Sequence, residues 1–124
     1  MLVPVLFAVG ILVGASGGIL MKIGATQIGG MEINSFADMI HFLFRLFTNV
    51  PSLGGVFLYF LSAVIWSYLL TKLDISYVQP ILALTYVATP ILAIFFLNEN
   101  VPLIRWVGIA IIIVGVFVVA RSAA

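Results

Sequence analysis

The sequence predicts an all-α membrane protein: four transmembrane helices, with a short interfacial amphipathic helix between the first and the second. Three observations carry this. Of 124 residues, 65% are hydrophobic and only 7% charged, and the mean hydropathy is +1.36; a soluble domain cannot build its polar shell from such a composition. The apolar residues form stretches of about 20, the length that crosses a ~30 Å hydrocarbon core. Between the first two stretches lies a shorter segment in which Asp38, His41 and Arg45 recur at helical spacing.

The first helix is expected over about residues 2–25. It lacks a basic leader and runs on past the length of a signal-peptide core, so it reads as a retained span. Gly10, Gly14, Gly17 and Gly18 interrupt it. In water such glycines weaken a helix; in lipid they let a neighbouring helix approach. Lys22 lies near its end, and residues 27–30 break it.

Asn34 or Ser35 can cap the short helix, expected over 36–47. Phe36, Met39, Ile40, Leu43, Leu46 and Phe47 share a broad apolar face opposite the charges, the pattern of a helix lying in the membrane interface. Asn49, Pro51 and Ser52 then suggest a turn. The second span is expected over 53–73, with Trp66, Tyr68 and Lys72 as an interfacial belt near its end. The linker 74–76 is short, so the second and third spans should be antiparallel neighbours. The third, over 77–97, carries Pro80 in its first turn, where proline is tolerated, and Pro90 in its middle, which predicts a kink. Residues 98–102 make the last hairpin and the fourth span follows over 102–119. The whole chain, 1–124, reads as a single four-helix domain.

Charge does not orient this chain. One side carries Arg45, Arg105 and the nearby Lys22; the other carries Lys72 and Arg121. The positive-inside rule has almost no asymmetry to act on, so either another cue sets the topology or the chain inserts both ways, which would permit an antiparallel homodimer.

Several function classes find no support. The chain has no cysteine and one histidine, so thiolate metal sites and disulfides are excluded and no metal or cofactor is expected. A net charge of +1 without a basic block leaves no footprint for nucleic acid. There is no glycine-rich phosphate loop for ATP. No nucleophile–base pair is evident, so His41 reads as an interfacial residue and the chain as no enzyme.

The candidate site residues are few. Lys22, a costly ammonium near the hydrocarbon, either meets an anionic headgroup such as phosphate or snorkels to the interface. Gln79 and Tyr86, seven residues apart, share one face of a proline-containing helix, alongside Thr85; they either line a cavity or bond between helices. Glu99 and Arg105 flank the last hairpin, either as headgroup or interface contacts or as solvated charges suited to the helix dipole. Gly108 and Gly115, also seven apart, form a smooth stripe for helix contact within the fold or across a dimer.

These residues resemble a family. Gly14-Ala15-Ser16-Gly17-Gly18-Ile19-Leu20-Met21-Lys22, Ile75-Ser76-Tyr77-Val78-Gln79-Pro80, and Phe96-Leu97-Asn98-Glu99 with Arg105-Trp106-Val107-Gly108 are similar to the four-helix form of the drug/metabolite transporter superfamily. Two branches compete: the small multidrug resistance transporters, and the short EamA-type proteins that include subunits of the aminoarabinose–undecaprenyl phosphate flippase. The first branch carries a glutamate in its first helix where this chain has Gly14, and aromatic residues where it has Gln79 and Leu82. The resemblance therefore implies the EamA-type branch: a dimeric transporter of the cytoplasmic (inner) membrane, homomeric or paired with a similar small subunit. Its partners would be membrane lipids, and its cargo a polyprenyl-phosphate-linked sugar or related lipid. Lys22 would meet the phosphate; Gly14, Gly18, Gln79 and Tyr86 would shape the groove; Gly108 and Gly115 would make the dimer contact. The alternatives are a small-molecule or multidrug exporter of the same fold and a non-transporting accessory subunit. Larger members of the superfamily look like two such units fused in inverted orientation, so one unit alone should need a second chain.

Overall fold

Glycines and small hydroxyl residues decide where the helices of this chain touch. The computed structural model describes residues 2–30 and 32–122 and contains six α-helices: α1 (Leu2–Ile28), α2 (Phe36–Thr48), α3 (Val50–Leu70), α4 (Ile75–Leu82), α5 (Thr85–Leu97) and α6 (Leu103–Arg121). With α4 and α5 taken as one interrupted span, four helices are long and apolar enough to cross a membrane, and α2 is the shorter helix between the first two.

The boundaries differ from the sequence expectation for identifiable reasons. The first helix continues to Ile28, where Gly29 takes φ +84 and its N–H donates to the Ala25 carbonyl at 3.0 Å; within the expected break at 27–30 it is this left-handed glycine that ends the helix. The second span starts at Val50 rather than residue 53. Asn49 closes α2 and caps α3 at once, its Oδ1 accepting from the Ser52 N–H at 3.0 Å, and Pro51 sits in the first turn where no donor is required. It ends at Leu70, where Thr71 caps the helix and donates its hydroxyl to the Tyr68 carbonyl at 2.6 Å.

The third span is interrupted, and not at Pro90 itself. Ala83 and Leu84 separate α4 from α5, and the ladder tightens to three-residue spacing: Ala83 N–H to Pro80 O, Leu84 N–H to Ile81 O, Tyr86 N–H to Ala83 O and Val87 N–H to Leu84 O, all near 3.0 Å. Pro90 cannot donate to the Tyr86 carbonyl, and its ring presses on that carbonyl. The tightened turn is the one that leads into Tyr86, the residue whose carbonyl lacks a donor from Pro90.

Lipid removes the usual hydrophobic driving force between helices, so close packing must hold the bundle. α1 is its centre. It packs most extensively on α3 and then on α5, while α4 packs chiefly against α6. The antiparallel neighbours α3 and α4 touch little by comparison. Against α3, Gly17 and Gly55 bring backbone to backbone: a Cβ on Gly17 would lie 3.1 Å from the Gly55 carbonyl oxygen. Near that end of α1, Asn49 donates its amide to Gln27 Oε1 at 3.0 Å. At the opposite end of the bundle Phe7, Leu69, Val78, Ile81 and Val116 form a buried cluster, with Phe7 edge-on to Tyr77 at 6.4 Å. Trp66 leans on this cluster with its indole nitrogen buried, and so is not part of an interfacial belt; Tyr68 is exposed, with the Lys72 ammonium 6.0 Å from its ring centre. Large apolar side chains such as Phe95, Leu103 and Ile104 point outward, as suits a lipid-facing surface.

α2 is amphipathic and buries no residue. Ser35 is its cap, accepting from the Asp38 N–H at 3.2 Å, while Asp38 Oδ2 accepts from the Asn34 N–H at 3.1 Å. This reciprocal pair is a close variant of the capping box.

Candidate functional site in the membrane

Two depressions lie on the face of α1 that carries Gly14, Gly18 and Lys22. These three residues follow one another at four-residue spacing, so they share one side of the helix, each about 6 Å further along the axis.

The first depression is a cavity of about 580 Å³ at mid-span. α1 contributes Gly14 and Gly18, whose missing side chains open the wall: a Cβ on Gly14 would meet Ser62 Oγ at 3.3 Å, and one on Gly18 would meet the Tyr59 hydroxyl at 3.2 Å. α3 contributes Tyr59 and Ser62, one turn apart. α4 contributes Gln79, and α5 contributes Thr85, Tyr86 and Thr89, with Pro90 below them. The interrupted third span thus curves two sets of polar side chains around one hollow. Ser62 donates its hydroxyl to the Gly10 carbonyl at 3.2 Å, which ties α3 to α1 and leaves its oxygen lone pairs turned to the site. None of the residues that line this cavity is charged.

The second depression, also about 580 Å³, sits at the end of the bundle where α1 finishes and α5 turns towards α6. Lys22, Ile23, Thr26 and Gln27 of α1 face Phe96 and Leu97 of α5 and the following Glu99. Thr26 spends its hydroxyl on the Lys22 carbonyl at 2.9 Å. Glu99 is carried on a turn that Asn98 makes in the left-handed conformation at φ 54, with the Glu99 N–H donating to the Ala93 carbonyl at 3.2 Å. Asparagine tolerates that geometry better than most side chains.

The residues singled out from sequence therefore divide. Gly14, Gly18, Gln79 and Tyr86 line the mid-span cavity together, while Lys22 lies one turn further on and shares its depression with Glu99. Arg105, in the first turn of α6, lines neither. Gly108 and Gly115 are exposed, and a Cβ on either would meet nothing within 4 Å, so no helix of this chain covers them. His41 and Arg45 are exposed on α2, outside both depressions. Sequence reasoning missed Tyr59, Ser62 and Thr89. Their signal is faint but physical: polar side chains three apart on an apolar span, Tyr59 with Ser62 and Tyr86 with Thr89, mark one face of each helix. Among the described residues no group of His, Cys, Asp or Glu is arranged to hold a metal ion.

The profile of the EamA-like transporter family matches residues 2–121, nearly the whole chain. The chain belongs to the EamA-like transporter family. As an EamA-type protein with four spans, it is a multi-pass protein of the inner membrane, within the drug/metabolite transporter superfamily. It is 31% identical over 109 residues to a probable 4-amino-4-deoxy-L-arabinose-phosphoundecaprenol flippase subunit ArnF of Serratia proteamaculans, covering 85% of this chain and 82% of that one. It is 37% identical over 60 residues to a probable subunit ArnE of the same flippase from Pseudomonas syringae pv. syringae, covering 48% of this chain. The uncharacterized protein y4nH of Sinorhizobium fredii is 34% identical over 70 residues, covering 56% of this chain and 60% of that one. The match to ArnE spans 56% of that relative's length. No solved structure matches the chain.

Proposed function

We propose that this EamA-family chain is one half of a lipid flippase, moving a polyprenyl-phosphate-linked sugar or related lipid across the inner membrane as a homodimer or with a similar small subunit. Each copy contributes a single four-helix domain. One observation carries the reading: Gly14, Gly18 and Lys22 form a continuous stripe on α1 that leads from an uncharged polar cavity at mid-span to a lysine at the membrane edge. A headgroup needs hydrogen-bonding groups inside the bilayer, a phosphate needs a cation, and a tail needs an open side. The cavity supplies the first and Lys22 the second. Tyr86, 65% exposed on α5, marks the side that opens to lipid. Membrane ionisable groups are costly and mark function. The relatives are named as subunits of a flippase for such a lipid, which supports the same class of cargo here.

An exporter of cationic drugs is less well supported, because no carboxylate lines the mid-span cavity. Gly108 and Gly115, bare and seven residues apart on α6, supply a seam for the second subunit. Glu99 and Arg105 lie at the headgroup level on the same side as Lys22.

The test is translocation in liposomes. Purified protein, alone and with the similar small subunit if one is encoded beside it, is assayed for movement of a fluorescent glycosylated polyprenyl phosphate between leaflets. Lys22→Met is expected to lower the rate at least tenfold. Full translocation by that variant removes Lys22 from the mechanism. No translocation by the native protein, with a stable complex to some other membrane protein, turns the reading to an accessory subunit.

A further inference from the structure

The mid-span cavity carries a specificity that the phosphate reading leaves open. Tyr59, Ser62, Gln79, Thr85, Tyr86 and Thr89 bring hydroxyl and amide groups from three helices to one hollow of about 580 Å³. Ser62 is already committed to Gly10. Among the described residues no side-chain hydrogen bond engages Tyr59, Gln79 or Tyr86. Polar groups are expensive in the hydrocarbon unless something satisfies them. Two of them, Tyr59 and Tyr86, also offer ring faces, which suit the C–H surface of a saturated ring.

The spacing then orders the ligand. Gly18 borders the cavity and Lys22 lies one turn on, about 6 Å along α1, which is the scale on which a glycosyl phosphate separates ring and phosphate. No acidic side chain lines the hollow, and Glu99 lines the other depression together with Lys22. A ring bearing an ammonium would lie there with no counter-ion in a low-dielectric site, a large cost. Hydroxyls would be satisfied.

Resting on the flippase reading, the geometry points to the mid-span cavity as a subsite for an uncharged, hydroxyl-bearing sugar ring, with Tyr59 and Gln79 as its specificity-determining residues and Lys22 taking the phosphate. The chain then differs from the relatives, whose named cargo carries an amino sugar.

The experiment measures binding by native mass spectrometry of the full chain in detergent. It uses three lipids with one polyprenyl tail: the bare phosphate, the phosphate bearing a neutral hexose, and the phosphate bearing an amino sugar. The neutral glycolipid is expected to bind best. Tyr59→Phe and Gln79→Leu are each expected to reduce its preference over bare phosphate by about three- to tenfold, the worth of one hydrogen bond, while binding of bare phosphate stays as in the native protein. That ratio separates ring recognition from general loss of structure, which would lower both. Lys22→Met should weaken all three lipids alike. Equal binding of bare and glycosylated phosphate, or a preference for the amino sugar, overturns the subsite while leaving the flippase reading in place. Failure of the native protein to bind any of the three overturns both.

Discussion

Gly17 of α1 and Gly55 of α3 stand backbone against backbone: a Cβ added to Gly55 would lie 2.8 Å from the Gly17 carbonyl oxygen and 2.7 Å from Met21 Cγ. Further along the same seam a Cβ on Gly24 would overlap the buried Ser52 hydroxyl. This contact sets how closely the central helix meets its main partner, and hence the width of the cavity beside it.

Gly55→Val should therefore push α1 and α3 apart. Overpacking of this kind costs about 1–3 kcal/mol, and the carbonyl of Gly17 cannot move aside as a side chain would. The expected result is a lower thermal unfolding midpoint in detergent, with Gly24→Val behaving likewise. An unchanged midpoint for both would show that the seam is looser than these distances imply.

Gly108→Leu and Gly115→Leu should behave in the opposite manner. Nothing in the chain lies within 4 Å of a Cβ at either position, so the fold of one subunit has room for both side chains. On the proposal that this stripe is the seam of a dimer, cross-linking and native mass spectrometry should report loss of the dimer with the helical content kept. A dimer that survives the double substitution would place its seam elsewhere on the bundle.

Pro90→Ala returns an N–H to the carbonyl of Tyr86. The three-residue bonds at Ala83–Val87 should then relax towards the ordinary ladder, and hydrogen exchange of the Tyr86 and Val87 amides should slow. If their exchange does not change, the tightened turn has another cause, and the cavity it shapes does not depend on the proline.

Ser35→Ala removes the acceptor of the Asp38 N–H. Loss of such a cap costs about 1 kcal/mol, and α2 has no buried residue to compensate. Faster amide exchange in the first turn of α2, with the four spans unaffected, is the expected outcome, measured site by site in micelles.

Much of this was legible beforehand where one helix decides the matter. The cap of α2 follows from Asn34 or Ser35 before an amphipathic run, and the four spans follow from apolar length. Gln79 and Tyr86 were expected on one face of a continuous helix; they stand on α4 and α5, either side of the break, and both line the cavity. Tyr59 and Ser62 were missed as site residues, because two polar side chains three apart on an apolar span read equally as interface or packing. The position of the break in the third span was missed for a related reason: proline announces that a helix must yield but not which turn yields.

By itself, the sequence determined the solvent, the number of crossings and the capped start of α2. Apolar length and capping chemistry are local, and a helix in lipid must satisfy its own backbone. Only the tertiary structure decided that α1 is the centre, that Lys22 and Glu99 share one depression, and that Gly14 and Gly18 open a cavity while Gly17 and Gly55 close a seam. A glycine carries no side chain to declare its role. Whether it makes a contact or a hollow depends on what the neighbouring helix places opposite it, and that is settled by packing between spans distant in sequence.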